Sequence, residues 1–363
     1  MKVCLLGDTH FGVRNDSKVF HNYYEKFYSE FFFPKLNELG VKQIIQLGDL
    51  FDRRKYINFQ TLTEARKYFF QPMYDNDIDM HTLLGNHDIF WKESVSVNSP
   101  ELLLSDYSNI TVVKDPTTIE QWNMDLIPWI CKENQSDVMN FINESKSYVC
   151  CGHFELSGYA MIKNVAPHHE GLNDQILSNY HSVYSGHFHT FSQRNNVTYL
   201  GTPYELYWND YRDQKYIAIL DTDTYVVEFI ENPYRMFYKV NYDDTKDYGE
   251  NGFLGNLQYT MKANGLYKDT YVKLIAVNKT DQNLFDNVVN AIMKTEPADL
   301  QIVEDFTSQV ESNDDIINQA EDTMTILSKY IDGQELNVAP NRLKNLMQEL
   351  YVEALSLEIE SNA

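Results

Sequence analysis

The chain reads as an α/β protein, a layered sandwich of two sheets followed by a small α+β domain and terminal helices. Three observations predict this. Five short apolar runs each end in glycine and a side chain able to hold a metal or a proton: Val3-Cys4-Leu5-Leu6 before Gly7-Asp8-Thr9-His10, Ile44-Ile45-Gln46-Leu47 before Gly48-Asp49, Met80-His81-Thr82-Leu83-Leu84 before Gly85-Asn86-His87-Asp88, Tyr148-Val149-Cys150-Cys151 before Gly152-His153, and Val183-Tyr184-Ser185 before Gly186-His187-Phe188-His189. Helical stretches alternate with such runs to about residue 230. The stretch 110–130 reads as antiparallel strands around Pro116, which calls for a second sheet. Short continuous apolar runs are the mark of strands buried on both faces. Ligands gather beyond the carboxyl ends of such strands, where glycine lets the backbone turn and approach closely.

Taken in order, the loop after His10 leads into a helix predicted over 19–39, whose Phe20, Tyr24, Phe27 and Phe31 recur at helical spacing and read as core; Gly40 ends it. The second run delivers Asp49, then Leu50-Phe51-Asp52-Arg53-Arg54-Lys55. Helices are expected over 59–73 and 95–107, each with an apolar face that suits either the sheet or a two-fold dimer. A hairpin is expected from Ile110-Thr111-Val112-Val113 to Thr118-Ile119-Glu120 and on to Met124-Asp125-Leu126-Ile127, and a helix over 137–147. Strands over 197–200 and 215–220 flank Gly201-Thr202-Pro203-Tyr204, and 224–230 finishes the domain before Pro233. Beyond it, strands over 235–240, 270–277 and 300–303 with a helix over 283–294 make the small α+β domain. Glu304 to Asp322 holds seven acidic residues and no Lys or Arg, a solvated linker or helix face. Two helices over 316–359 break at Asp332-Gly333-Gln334. Their apolar face (Leu343, Leu346, Met347, Leu350, Tyr351, Ala354, Leu357) suits docking on the chain itself or on a partner. The domains expected are 1–232, 233–303 and 304–363.

At 363 residues the chain exceeds one ordinary core, and 43% hydrophobic with 23% charged residues is soluble globular composition. No apolar run is long enough to span a bilayer. The N-terminus runs directly into a ligand-bearing strand, so no cleaved signal is expected there. Cys4, Cys131, Cys150 and Cys151 are scattered without a Cys-x-x-Cys pair, which reads as buried thiols in a reducing cytoplasm. A net charge of −23 argues against simple electrostatic attraction to nucleic acid.

The ligand types are carboxylate, imidazole and amide oxygen without thiolate, a set that suits manganese, iron or zinc. Two ions sharing one carboxylate, about 3.5–4 Å apart, stabilise the attacking and departing oxygens of an in-line displacement. A water between them ionises near neutral pH, so hydroxide serves as nucleophile and no serine or cysteine is needed. His21, His81, His168, His169 and His181 fall outside the pattern and read as ordinary core or surface histidines.

These motifs resemble those of the calcineurin-like metallophosphoesterases, and most closely the double-strand-break repair nucleases: the bacterial SbcD type and the recombination endonuclease subunits of tailed phages. Gly48-Asp49-Leu50-Phe51-Asp52 and Gly201-Thr202-Pro203-Tyr204 narrow it to these nucleases, and the resemblance covers about residues 1–230. It implies α/β/β/α layering, with one metal on Asp8, His10, Asp49 and His189 and the other on Asp49, Asn86, His153 and His187. It implies that His87 stabilises the transition state or protonates the leaving oxygen, oriented by Asp88. Cellular relatives often place histidine where this chain has Asp52, and no catalytic role is given to Asp52. The resemblance further implies two divalent ions, manganese with magnesium as the alternative. It implies exonuclease activity on duplex DNA (3′ to 5′), endonuclease activity on single strands, and a homodimer through the helices near 59–73 and 95–107. It also implies a coiled-coil SMC-like ATPase bound by the C-terminal helices and a second domain that caps DNA. Arg53, Arg54, Lys55, Arg194 and Arg212 are the candidate phosphate contacts. The rival readings are a two-metal phosphoesterase for phosphoproteins or nucleotides, and a scaffold for DNA and ATPase with little intrinsic activity.

Overall fold

In the computed structural model, residues 1–160, 171–264 and 266–304 are described. His168, His169, the acidic stretch beyond 304 and the terminal helix pair lie outside the described residues. The first sheet runs in the order β14 (Val227–Glu231), β13 (Tyr216–Asp221), β1 (Lys2–Leu6), β2 (Gln43–Gln46), β3 (Asp79–Leu83) and β6 (Ile110–Val113). The second runs β11 (Ser192–Arg194), β12 (Val197–Tyr199), β10 (Ser182–Gly186), β9 (Val149–His153), β8 (Met124–Ile127) and β7 (Thr117–Ile119). β1, β2, β3 and β6 are mutually parallel, as are β8, β9, β10 and β12. Their carboxyl ends bring the glycine-ligand loops together.

Alternation along the strands builds three apolar layers. Val3, Leu5, Ile45, Leu47 and Leu83 face Met124, Leu126, Val149, Cys151 and Tyr184 between the sheets. Their neighbours Cys4, Leu6, Ile44 and Met80 face the other way, into an aromatic core of Phe11, Phe20, Tyr24, Phe27, Phe32, Phe69 and Phe70 supplied by the helical segments. On the far side Cys150, Val183 and Val197 pack under Val138 and Ile142 of the helix Gln135–Glu144. Helix, sheet, sheet, helix is therefore the observed layering. The adjacent Cys150 and Cys151 lie in different layers, and all four cysteines are buried free thiols.

The stripe predicted over 19–39 is Lys18–Lys26 continuing through a π-helical stretch, Phe27–Phe32, into Phe33–Leu39; Gly40 closes it at φ 68°. Two expectations fail. The helix expected over 95–107 is β5 (Ser94–Asn98) paired with β4 (Ile89–Trp91), followed by a short helix Ser99–Leu103. The switch is set by Asn98, whose side chain caps the Glu101 N–H, and by Pro100 in the first turn. The hairpin expected at Ile110 is a crossover: β6 joins the first sheet beside β3, while β7 and β8 pair antiparallel in the second.

β15 (Phe237–Asp243), β16 (Tyr271–Asn278) and β17 (Asp299–Glu304) form a separate sheet with the helices Gly252–Asn264 and Gln282–Met293. Its own core includes Tyr242, Val272, Leu274, Phe285, Val288 and Ile292. Residues 1–303 nonetheless form one compact unit, because Phe237 and Tyr271 pack on Phe20 with centroids 6.5 and 5.9 Å away. No described helix is long and apolar enough to cross a membrane.

Candidate metal centre

The loops after β1, β2, β3 and β10 converge on His153, the last residue of β9. Asp8, His10 and His189 form one cluster, and Asp49, His153 and His187 a second. Asn86 joins the second, its Oδ1 lying 3.1 Å from His153 Nε2 and 3.0 Å from His187 Nδ1. Asp49 lies between the clusters, with Oδ2 3.5 Å from His153 Nε2 and 3.7 Å from His10 Nε2. His10 Nε2 and His189 Nε2 stand 3.0 Å apart. The structure thus brings all seven expected ligands together.

Backbone hydrogen bonds aim these groups. His187 N–H donates to Asp8 and His87 N–H to Asp49, both at 2.8 Å. The His153 Nδ1–H donates to the Leu47 carbonyl at 2.7 Å, which turns Nε2 toward the centre. His10, Asp49 and His187 hold φ at 45°, 53° and 91°. Such left-handed backbone is costly away from glycine and collects at functional sites. A Cβ on Gly85 would collide with the Asp49 carboxylate, and one on Gly186 with that of Asp8. Those two glycines permit the close approach.

Buried carboxylates and imidazoles set one another's charge. Burial, with Asp49 adding to it, pushes Asp8 up to about 7 against the pull of His153 and His10. Burial also opposes ionisation of Asp49, yet His153, His87 and His10 hold it well below the carboxylate range. Against burial, the carboxylates around them push His10 and His153 up to about 9. Burial, then His10 and Lys215, hold His189 well below the imidazole range. Such crowding of opposed charges is what divalent cations would replace, and oxygen and nitrogen donors without thiolate fit them.

A pH dependence follows. Imidazoles raised above 6.5 contribute stability that is complete below 6.5 and lost as pH rises through about 9. Asp8 and Asp88, raised to about 7 from 3.8, contribute stability complete below 3.8 and lost as pH rises through 7. The melting temperature of EDTA-treated protein is therefore expected to fall from pH 5 to 9. Manganese, which must displace the imidazolium protons, should stabilise more at the alkaline end. Thermal melts across that range with and without the metal check this; a metal-free profile that rises with pH contradicts it.

His87 and Asp88 differ from expectation. Asp88 is fully buried and accepts from the backbone N–H groups of Gly85, Leu50 and Phe51 at 2.9–3.3 Å. It clamps the second and third ligand loops together, and the His87 ring is instead held by the backbone carbonyl of Asp52. Among the basic candidates, Arg53 binds Asp16 and Asn15, both at 2.9 Å, and Arg194 donates to the Gly158 carbonyl beside Tyr159. Arg54 and Lys55 line a cleft of about 140 Å³ with Tyr56 and Leu102, and Arg212 lies over Tyr211. Arg53 lines that cleft too, so three of the five candidates share it, while Arg194 and Arg212 lie on other elements.

Three further neighbours complete the site, of which Trp129 and Lys215 escape a reading of the sequence. The Asp52 carboxylate lies 3.3 Å from His10 Nδ1 without hydrogen-bond geometry. The Trp129 ring packs 5.1 Å from His187. Lys215, 2% exposed, donates to the His189 carbonyl (2.8 Å), Asp210 (2.7 Å) and Asp213 (3.1 Å). Lys215→Met is expected to cost about 3–5 kcal/mol by stranding two buried carboxylates. A fall in the urea midpoint would measure it, and adding Asp210→Asn and Asp213→Asn should recover most of the loss.

The calcineurin-like phosphoesterase family profile matches residues 1–201. The chain is 32% identical over 362 residues to Exonuclease subunit 1 of Enterobacteria phage T4, spanning 98% of this chain and 99% of that one. Among solved structures, an archaeal phosphodiesterase aligns over 64% of this chain and 99% of its own at 14% identity, with a TM-score of 0.32.

Proposed function

The chain belongs to the calcineurin-like phosphoesterases, and from that premise we propose that it is a manganese-dependent DNA nuclease. In this reading it degrades duplex ends 3′ to 5′, cuts single strands internally, and works in the cytoplasm with an SMC-like ATPase in end processing and recombination. The observation that carries the reading is the convergence of seven ligands, from the carboxyl ends of five strands, in a chain alike over nearly its whole length to a phage exonuclease subunit.

Asp8, His10, Asp49 and His189 would hold one ion and Asp49, Asn86, His153 and His187 the other. Bound there, the ions supply an ionised water and offset phosphate charge. The chain's own part is orientation. Asp49 ties the two clusters together, the Asp52 carbonyl accepts a hydrogen bond from His87 Nδ1–H, and the remaining His87 nitrogen is left to serve a phosphoryl or leaving oxygen. Phe59, Leu102 and Tyr56, which are 84%, 70% and 64% exposed, support a homodimer through the segments near 59–73 and 95–107. The ATPase is assigned to the C-terminal segment, and capping of DNA to residues 233–303.

The test compares end-labelled duplex, bis-p-nitrophenyl phosphate and p-nitrophenyl phosphate in manganese and in magnesium, with and without the ATPase. A nuclease removes nucleotides from the 3′ end and prefers diesters. Faster turnover of the monoester, or of a phosphopeptide, than of either diester would sink the assignment in favour of a phosphomonoesterase.

A further inference from the structure

In a chain of net charge −23, four cations outside the metal centre gather on and beside the small sheet. Lys239 on β15 and Lys273 on β16 are register partners, side by side on one face of the small sheet. Lys273 is only 9% exposed, its Nζ 4.2 Å above the Trp208 ring. The Lys239 Nζ lies 4.9 Å above Tyr211, which also carries Arg212 at 5.2 Å. Arg14 sits 5.0 Å above Tyr271 and 5.9 Å above Phe237. Among the described residues no carboxylate lies within ion-pair distance of Arg14, Lys239 or Lys273. Burial and Arg212 lower Lys239; burial, Lys239 and Arg14 lower Lys273, with Asp299 the one opposing charge.

A nearly buried lysine facing like charges costs stability unless an anion completes it. Two links run from the patch toward the centre. Arg14 lies four residues past His10, on a left-handed turn that Arg53 pins through Asn15 and Asp16. Tyr207, next to Trp208, lies parallel to the His189 ring at 6.3 Å. Because the cations cover the faces of Trp208, Tyr211 and Tyr271, those rings present charge in place of a surface for stacking bases. We propose that Arg14, Lys239 and Lys273, with Arg212 at the rim, form a second phosphate site that grips the DNA backbone away from the scissile bond. It rests on the nuclease reading and answers how so acidic a chain holds a polyanion, since phosphate-binding groups of this kind position DNA without reading its sequence.

The experiment measures KM for manganese-dependent degradation of an end-labelled duplex across a salt series. Arg14→Gln and Lys239→Gln should each raise KM on the order of tenfold and make the salt dependence shallower by about 0.9 for each phosphate no longer engaged. Lys239→Arg should restore the wild-type slope, and Lys146→Gln, an exposed lysine outside the patch, should keep it. Lys273→Met should behave like Lys239→Gln; if it melts early, the two less buried variants carry the test. Wild-type KM and salt slope in both Arg14→Gln and Lys239→Gln overturn the site while leaving the nuclease reading intact. A wild-type protein that hydrolyses bis-p-nitrophenyl phosphate but leaves every duplex whole overturns the nuclease reading, and this site with it.

Discussion

Asp49→Asn is expected to lower kcat/KM at least about 10³-fold, on duplex DNA and on bis-p-nitrophenyl phosphate alike, and to reduce the metal bound per chain. Asparagine keeps the shape and the acceptor for the His87 N–H, now 2.8 Å away, so the third ligand loop should stay in place. What goes is the negative charge between the clusters, 3.5 Å from His153 and 3.7 Å from His10. The same charge raises both imidazoles in the metal-free protein, so the variant's melting temperature should depend less on pH between 6.5 and 9. Asp8→Asn is a useful contrast, since Asp8 groups with His10 and His189, apart from the Asp49, His153 and His187 cluster. Its loss should weaken one ion more than the other. Two ions bound per Asp49→Asn chain, with activity within about tenfold of wild type, would remove Asp49 from its bridging role.

The ligands are legible in the sequence because the physics that buries them leaves a local mark. A parallel strand covered on both faces must be an apolar run, and the glycine after it is required where Gly85 passes Asp49 and Gly186 passes Asp8. The opposite facing of Cys150 and Cys151 follows from strand alternation alone. Sheet membership leaves no such mark. Ile110-Thr111-Val112-Val113 would suit either sheet, and its pairing with β3 is set by a partner some thirty residues earlier. Residues 94–98 alternate, with Val95 and Val97 two apart, a strand signal too short to stand out within 95–107, and Asn98 with Pro100 starts the short helix only after it. Lys215 reads as the start of a strand, although a lysine beside an apolar run, with Asp210 and Asp213 just before it, is a pattern for a buried ion pair. For Asp88, adjacency in sequence suggests a partner in His87. Its carboxylate instead reaches Leu50 and Phe51, which no local pattern announces.

His87→Ala separates chemistry from metal binding. The ring lies 5.0 Å from that of His10, half-buried, with Nδ1 donating to the Asp52 carbonyl. That bond fixes which nitrogen is left for the substrate. Losing a general acid lowers kcat by about 10²–10⁴-fold, while all seven ligands remain, so metal content and KM should hold near wild type. The leaving group then discriminates between the two roles open to this histidine. A sugar alkoxide departs poorly without a proton, whereas p-nitrophenolate departs unaided. If His87 protonates the departing oxygen, the defect should be near its full size on DNA and much smaller on bis-p-nitrophenyl phosphate. Equal losses on both substrates would assign the ring to stabilising charge on the phosphoryl oxygens, since that charge develops whichever group leaves. A variant that lost its metal along with its rate would put His87 among the groups that build the centre.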